Sequence, residues 1–401
     1  MKKGWATKTL GEVLQKTETI NPLQLPQMEF DYIDVSSVSN ATFQIEATQR
    51  LKGKDAPSRA RKLVRANDVL FATIRPTLQR IAVVPEHLDK QVCSTGYFVL
   101  RPKPEIDHRF VFYSLFTENF MGQMESLQKG ASYPAVTDGE VKAQLIPVPP
   151  LPEQQRIVGI LDEAFEGIAT AKANAEKNLQ NTHALFESHL QSVFTRRSDE
   201  VPLSRLASEI TDGDHSPPPK APTGVPFITI SDIVKRTREV DFSNTFTVPA
   251  EYFLKLKPNK KPRVGDILYT VTGATLGIPV LVKEHRDFCF QRHIGLIRPN
   301  PDTDSAWLTY GLLSPQVFRQ ATIGSTGAAQ KTVSLSVLRG LKLPKLALPE
   351  QKRIAARLDS LAAETHRLES IYQQKLAALD ELKKSLLHRA FNGELIKDNG
   401  Q

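Results

Sequence analysis

The chain contains nearly the same heptapeptide twice, and this repeat constrains its fold more than any other feature of the sequence. Residues 151–157 read Leu-Pro-Glu-Gln-Gln-Arg-Ile and residues 348–354 read Leu-Pro-Glu-Gln-Lys-Arg-Ile, at an offset of 197. The same offset aligns distant pairs, which are Leu161 with Leu358, Phe194 with Phe391, Arg101 with Arg298 and Gly130 with Gly327. A constant offset across separated pairs indicates tandem duplication. We therefore expect two similar units, residues 1–197 and 198–401.

The length and composition of the chain agree with two folded units. At 401 residues it is longer than one core usually supports, and its 40% hydrophobic and 24% charged residues are typical of globular proteins. Cys93 and Cys289 lie far apart and outside any Cys-x-x-Cys pair, so neither a disulfide framework nor a zinc site is predicted. We expect a soluble, cytoplasmic protein, because no apolar run has the length of a signal peptide core or a membrane span.

The front part of each unit has the pattern of a β-rich domain. Branched or aromatic runs bounded by Gly, Pro, Asn or Asp predict strands at residues 68–74, 97–100, 226–230 and 266–271. The apolar spacing at residues 110–116 and 305–313 predicts short packed helices. The front domains are therefore expected to be α+β.

The back part of each unit has the pattern of a long helix. Between Ile354 and Leu386, mostly apolar residues including Leu382 recur in alternating steps of four and three, and the equivalent positions, including Leu185, form a weaker seam. Each Leu-Pro-Glu start suits a helix N-terminus, where proline is tolerated and a carboxylate is favoured. A helix of about forty residues spans roughly 60 Å. We expect the two helices to pair and to act as a spacer.

The charge of the chain favours a polyanionic partner without identifying one. Lys and Arg exceed Asp and Glu by 52 to 44, which gives a formal charge of +8. The sequence contains no Walker motif, no Asn/Asp-Pro-Pro-aromatic motif and no paired carboxylates that would indicate catalysis. We therefore assign no catalytic residue to this chain.

Two local motifs have functional interpretations that the sequence does not favour. His215 lies beside Asp212 and Asp214 but has no second histidine nearby, so a turn residue is favoured over a metal ligand and no metal site is assigned. Residues 273–277, Gly-Ala-Thr-Leu-Gly, lack the Gly-Lys-Ser/Thr ending of a phosphate-binding loop and are interpreted as a tight turn.

Four segments accompany the repeated helix start, namely residues 68–76, 94–97, 212–215 and 273–277. With the Leu-Pro-Glu-Gln-x-Arg-Ile start after each β-rich domain, they make the whole chain resemble the specificity (HsdS) subunits of type I restriction-modification systems. The resemblance implies an α+β fold with two tandem target recognition domains separated by two long helices, which pair as a pseudo-two-fold symmetric antiparallel coiled coil. The expected boundaries are residues 1–150 and 198–347 for the recognition domains, and 151–197 and 348–401 for the central and C-terminal helices.

The resemblance also implies a function and a set of partners. Each recognition domain would read one half of a bipartite, asymmetric site on double-stranded DNA, and the helices would set the gap. The subunit would bind two modification (methyltransferase) subunits, which methylate adenine N6, and then restriction subunits that translocate and cut DNA. S-adenosylmethionine, ATP and Mg would belong to those partners, so no cofactor and no catalysis is expected here. The alternative is a coiled-coil scaffold whose two domains bind ligands other than DNA.

Candidate contact residues come from polar or basic segments beside the predicted strand ends. For DNA contact in the first domain they are Arg59, Arg61, Lys62, Arg75, Gln79, Arg80, Ser132 and Tyr133. In the second domain they are His215, Thr272, Thr275, Gln291, Arg292, His293, Gln330 and Lys331. Two equivalent docking sites for partner subunits are predicted on outward faces of the helix starts, at Glu153, Gln154, Arg156, Glu350, Gln351 and Arg353.

Overall fold

The structure is a computed structural model that describes residues 4–195, 199–215, 218–326 and 331–396. The chain divides into two compact units: unit 1 comprises Met1–Ala175 and Gln374–Gln401, and unit 2 comprises Glu176–Gln373. The divisions fall inside two long helices, α5 (Leu151–Thr195) and α10 (Leu348–Phe391). Each unit thus combines one β-rich domain with part of both helices. The four-segment division predicted from the sequence, with each helix on its own, stays a prediction.

The β-rich domain of unit 1 is built from short strands. These are β1 (Ala6–Thr9), β2 (Glu29–Ile33), β3 (Gln49–Lys52), β4 (Ala60–Leu63), β5 (Val69–Ala72), β6 (Ile81–Val83), β7 (Val92–Ser94), β8 (Tyr97–Leu100) and β9 (Leu145–Val148). They form a β3-β2-β7-β4 sheet, a β6-β5-β8 sheet and a β1-β9 pair, in which β2 and β7 run parallel. Its short helices are α1 (Leu10–Val13), α2 (His108–Ser114), α3 (Glu118–Leu127) and α4 (Asp138–Lys142).

The β-rich domain of unit 2 repeats this plan. Its strands are β10 (Glu200–Pro202), β11 (Ala207–Asp212), β12 (Val225–Ile228), β13 (Ile233–Val234), β14 (Glu239–Val240), β15 (Thr247–Val248), β16 (Ile267–Thr270), β17 (Pro279–Leu281), β18 (Cys289–Phe290), β19 (Ile294–Pro299) and β20 (Lys342–Pro344). The sheets are β11-β19-β16-β17, β15-β12-β18, β13-β14 and β10-β20, and β12 and β18 run parallel. The short helices are α6 (Ala250–Lys255), α7 (Ser305–Leu313), α8 (Pro315–Ile323) and α9 (Leu335–Gly340).

The strands and short helices predicted from the sequence are confirmed. β5, β8, β12 and β16 overlap the four predicted strands, and α2 and α7 overlap the two predicted helices. β5, β8 and β16 are buried along their whole length, which explains their runs of branched and aromatic residues. Among the described residues, no helix is both long and apolar enough to cross a lipid bilayer.

A buried Asp–Arg pair holds the same two strands together in both units. In unit 1, Arg101 donates two hydrogen bonds of 2.8 Å to Asp68, and in unit 2 Arg298 donates bonds of 2.9 and 2.7 Å to Asp266. The two aspartates are only 1% and 2% exposed, and each also accepts a backbone N–H from three residues earlier. Such two-point charged bonds fix orientation as well as adding energy. The shared network is the structural counterpart of the duplication.

The two long helices pair in an antiparallel manner. In unit 1 the start of α5 and the end of α10 share a cluster that includes Ile157, Leu161, Leu387 and Phe391. In unit 2 the end of α5 and the start of α10 share a cluster that includes Leu190, Phe194, Ala355 and Leu358. In both units a helix start therefore packs against a helix end. The predicted α+β fold with paired antiparallel helices is confirmed.

The predicted apolar seam is wrong in the last quarter of both helices. Leu185 and Leu382 are 64% and 46% exposed. Nearer the middle, the seam positions Ala175 and Thr182 of α5 are buried as predicted, and on α10 the buried Glu369 lies next to a seam position. A helix of 3.6 residues per turn drifts away from a strict seven-residue repeat, so a seam that begins correctly at the helix start rotates out of the contact.

Candidate nucleic-acid interface

In each unit, the segment that follows a central strand is tied to a distant loop. After β5, Ile74 forms a bridge with Ala135, and the Arg75 N–H donates to the Pro134 carbonyl at 2.7 Å. After β16, Thr272 forms the equivalent bridge with Thr332. Both units therefore present a pair of joined loops at the same place in the fold.

Arg75 and Tyr133 form an exposed pair on the joined loops of unit 1. The Arg75 guanidinium lies 5.1 Å from the centre of the Tyr133 ring and donates to the Ser132 carbonyl at 3.2 Å. Tyr133 is 71% exposed, and Arg75 and Gln79 both have left-handed backbone conformations, with φ of 50° and 53°. Non-glycine residues in this region are strained and are concentrated at functional sites. An arginine stacked on an aromatic ring retains donors for a phosphate or a base edge.

Three other predicted residues of unit 1 use their side chains inside the fold. Lys62 donates to the Tyr97 carbonyl at 2.6 Å and to the Asp138 carboxylate at 2.8 Å. Arg80 donates to the Val38 carbonyl at 2.6 Å, and the Arg61 guanidinium donates to the carbonyl of the preceding residue at 2.8 Å. Arg59 is exposed. The structure thus gathers Arg75, Gln79, Ser132 and Tyr133 on joined loops and turns Lys62 and Arg80 inward.

In unit 2, predicted residues gather where β11 ends beside the turn between β18 and β19. The Arg292 N–H donates to the Asp214 carbonyl at 3.1 Å, and Asp214 forms a bridge with Gln291. His215 Nε2 lies 2.8 Å from the Asp212 carboxylate, and Arg292 Nε lies 3.4 Å from His293 Nε2. His215 and Arg292 are exposed. These residues form a polar, partly basic turn cluster.

The joined loops of unit 2 hold the remaining predicted residues. Lys331 is exposed, whereas Thr272 is buried and its hydroxyl lies 2.9 Å from that of Thr332. Thr275 lies in the 273–275 helical turn, and its buried hydroxyl has no hydrogen-bond partner. The tight turn predicted at residues 273–277 is confirmed. Gln330 lies outside the described residues.

Metal-binding geometry is absent from the part of the chain that the structure describes. No group of three or more His, Cys, Asp or Glu side chains is placed to hold a metal ion there. Asp214 instead accepts a hydrogen bond from the Tyr252 hydroxyl. Burial, and then the bond to Asp214, raises the pKa of Tyr252, so this hydroxyl stays protonated. The joined loops and the turn cluster can therefore bind a partner through hydrogen bonds and charge attraction.

The helix starts contain a correction to the predicted docking faces. Gln154 and Gln351 are each 1% exposed, so their expected place on an outward face is wrong. The Gln154 amide accepts the Asp107 N–H and donates to the Pro149 carbonyl, both at 2.9 Å. Gln351 makes the equivalent bonds in unit 2, since it accepts the Asp304 N–H at 2.8 Å and donates to the Leu346 carbonyl at 2.9 Å. Each amide satisfies buried backbone groups, which is the reason for its burial.

The other four predicted docking residues lie closer to the surface. Arg156 and Arg353 are exposed, and Arg353 lies 3.8 Å from the half-buried Glu350. Glu153 is half-buried and accepts a hydrogen bond of 3.1 Å from the Trp5 indole. The two helix starts thus present an exposed arginine at equivalent positions.

A family model for the type I restriction modification DNA specificity domain matches residues 2–180 and 214–377. This match covers most of the chain. The chain belongs to this family. The prediction of a type I specificity subunit, which recognises DNA and is not itself an enzyme, is therefore confirmed.

Curated relatives and solved structures agree with the family. The specificity subunit is 24% identical over 344 residues to the type I restriction enzyme EcoBI specificity subunit of Escherichia coli, covering 78% of this chain and 70% of that protein. It is 25% identical to the EcoKI specificity subunit of Escherichia coli strain K12, covering 76% and 69%.

Two solved structures are similar to the chain over nearly its whole length. A chain from a study of complex assembly and conformational transition in the type I R-M system is 30% identical, with a TM-score of 0.84 over 98% of this chain and 99% of that one. The HsdS subunit from Thermoanaerobacter tengcongensis is also 30% identical, with a TM-score of 0.71 over 98% of both chains.

The structure adds residues to the specificity subunit that sequence reasoning missed. Lys235 and Arg236 are exposed on the turn between β13 and β14. Their signal was a short basic run between two weak strands.

In both units a tyrosine of the β-rich domain donates a hydrogen bond to an aspartate of a long helix, Tyr113 to Asp162 and Tyr310 to Asp359. The offset of 197 between these pairs was the signal that could have found them.

Proposed function

We propose that the two β-rich domains of this specificity subunit each read one half of a bipartite, asymmetric DNA site, and that the paired helices set the gap between the halves. The observation that carries the proposal is the recurrence of joined, polar loops at the same place in both units of a duplicated fold. A duplicated reading surface with different side chains recognises two different half-sites.

The contact residues of the proposal are exposed or half-buried polar side chains of the predicted loops and turns. In unit 1 they are Arg59, Arg75, Gln79, Ser132 and Tyr133, and in unit 2 they are His215, Gln291, Arg292, His293 and Lys331. Lys62, Arg80 and Thr272 are left out because their polar groups are already bonded within the fold. Lysines and arginines at such loops neutralise phosphates, while a few side chains read base edges.

The proposal extends to partner subunits. Two modification subunits dock at the equivalent helix starts, around Arg156 and Arg353, and restriction subunits join the assembly through them. S-adenosylmethionine, ATP and Mg belong to those partners, which work with this chain in the cytoplasm. The equivalence of the two helix starts supports a stoichiometry of two modification subunits per chain.

The experiment that tests DNA reading is to co-express the chain with its modification subunit and map N6-methyladenine across the host genome by single-molecule sequencing. We expect a split motif, with two specific parts separated by a fixed non-specific gap. A continuous motif, or no methylation in a complex that assembles, would instead favour a scaffold with non-DNA ligands.

Partner docking has a separate test. Native mass spectrometry of the complex at saturating modification subunit is expected to show two copies per specificity subunit. Arg156→Glu and Arg353→Glu should each remove one copy, whereas Gln155→Glu, beside the first site, should remove none. Saturation at one copy in the unmodified complex would contradict two equivalent sites.

A further inference from the structure

Two polar contacts join one long helix to the other, a salt bridge in unit 1 and a histidine–carboxylate contact in unit 2. In unit 1 the Lys172 ammonium lies 2.6 Å from the Asp380 carboxylate. In unit 2 His183 Nδ1 lies 3.1 Å from the Glu369 carboxylate. By the offset of 197, Lys172 is equivalent to Glu369 and His183 is equivalent to Asp380. The two pairs therefore join the same two positions of the repeat. In both pairs the basic residue lies on α5 and the acidic residue on α10.

Some apolar contacts between the helices are the same at equivalent positions of the repeat. Leu161 and Phe391 belong to the cluster of unit 1, and their equivalents Leu358 and Phe194 belong to the cluster of unit 2. All four positions carry large apolar side chains. At these four positions, a second copy of the same helix would supply the same apolar side chains as the true partner.

The charged positions do distinguish the helices. If α5 paired with a copy of itself, Lys172 would face His183, and neither side chain would have the carboxylate that it contacts in the unlike pairing. If α10 paired with a copy of itself, Glu369 would face Asp380. The Glu369 side chain is only 7% exposed and has His366 of its own helix 3.4 Å away, so a second carboxylate there would be poorly screened. Neither like pairing retains the Lys172–Asp380 salt bridge or the His183–Glu369 contact of the unlike pairing.

We propose that Lys172, His183, Glu369 and Asp380 make each long helix select the unlike helix and reject a copy of itself. The contact face of each long helix thus fits the other long helix of the chain and not a second copy of itself. The selection keeps two different β-rich domains together in one assembly, which apolar packing of a duplicated helix does not ensure.

A double substitution separates selectivity from stability. With His183→Asp and Glu369→Lys, both pairs between unlike helices still join opposite charges. Each helix, however, now also carries one acidic and one basic group at the two contact positions. Two copies of the same helix could therefore pair these groups with opposite charges. Lys172→Glu with Asp380→Lys has the same effect through the other pair, so it serves if the first variant folds poorly. Glu381→Lys with Lys384→Glu is the control, because it reverses an exposed pair within one helix.

The experiment uses the full chain with a specific protease site inserted between Thr195 and Asp199, folded first and then cut. Two preparations with different tags are mixed and warmed until their halves exchange, and native mass spectrometry counts like and unlike pairs. We expect mostly unlike pairs from the wild type and the control, and about a tenfold rise in the ratio of like to unlike pairs in either double variant. An equal ratio in all four chains would overturn the proposal.

Discussion

At the scale of single residues, Arg75 and Lys62 show how two basic side chains of one unit take different roles. Arg75 is exposed and stacks on Tyr133, whereas Lys62 is bonded to Tyr97 and Asp138. The sequence analysis predicted both as DNA contacts. A basic residue beside a strand end looks the same in the sequence whether its side chain is exposed or bonded inside the fold. Only the position of an internal carbonyl and carboxylate, set by the tertiary fold, separates them.

Substitution of these two residues should give opposite outcomes. Arg75→Ala is expected to weaken binding of the assembled complex to its DNA site by about tenfold to a hundredfold, since an arginine–base or arginine–phosphate contact is lost. Lys62→Ala is expected to destabilise unit 1 by about 1–2 kcal/mol, with a smaller loss of DNA affinity. Fluorescence anisotropy and urea unfolding measure the two effects. The reverse pattern would mean that the roles are assigned wrongly.

The two thiols are expected to be inert in the folded chain. Cys93 and Cys289 are buried, and burial raises the pKa of each thiol to about 12. Because the thiolate is the reactive form, reaction with Ellman's reagent at pH 8 should be at least about a hundredfold slower than for free cysteine. The rate should stay low until the pH approaches 12 or the unit unfolds.

Each thiol lies in a different unit, so the same reaction reports on local unfolding. Cys289→Ser leaves Cys93 as the reporter of unit 1, and Cys93→Ser leaves Cys289 as the reporter of unit 2. Reaction rates are then followed against urea concentration. Fast labelling of either thiol in native buffer would show that its strand opens without global unfolding.

At the scale of elements, the helix starts depend on Gln154 and Gln351. Gln154→Ala would leave the Asp107 N–H and the Pro149 carbonyl buried without partners, at a cost of about 2 kcal/mol. The adjacent Gln155→Ala is the matched control, because Gln155 is exposed and its loss should cost little.

The fluorescence of Trp5 measures this effect directly. The Trp5 indole is bonded to Glu153, next to the substituted residue, and Trp307→Phe removes the other tryptophan. Phenylalanine is a suitable replacement because Phe110 occupies the equivalent position in unit 1. Urea curves that coincide for the Gln154 and Gln155 variants would show that the buried amide contributes no stability.

The sequence predicted the elements better than their contacts. The Leu-Pro-Glu starts, the strands and the short helices follow from local periodicity and turn residues, and the structure has them. The burial of Gln154 and the exposure of Leu382 did not follow, since both depend on groups distant in the chain. A polar side chain is buried where it satisfies backbone groups, and a leucine is exposed where the seam has rotated away.

At the scale of the whole molecule, the proposed function makes the gap in the DNA site a consequence of helix length. Seven residues inserted between Lys177 and Asn178, and seven between Gln374 and Lys375, add two turns at equivalent positions of α5 and α10. The added length is about 10 Å, which corresponds to roughly three base pairs. We expect the methylated motif to keep both specific parts and to gain about three positions in its gap.

Equal insertions at equivalent positions lengthen both helices and keep them paired. Seven residues preserve the facing sides of both helices, and equivalent insertions preserve the pairing of Lys172 with Asp380 and of His183 with Glu369. Inserting the seven residues into α5 alone is the control: it shifts one helix against the other and should lower the melting temperature and abolish methylation. If the double insertion folds and methylates with an unchanged gap, the helices do not set the spacing. In that case the distance between the half-sites must be fixed by the partner subunits.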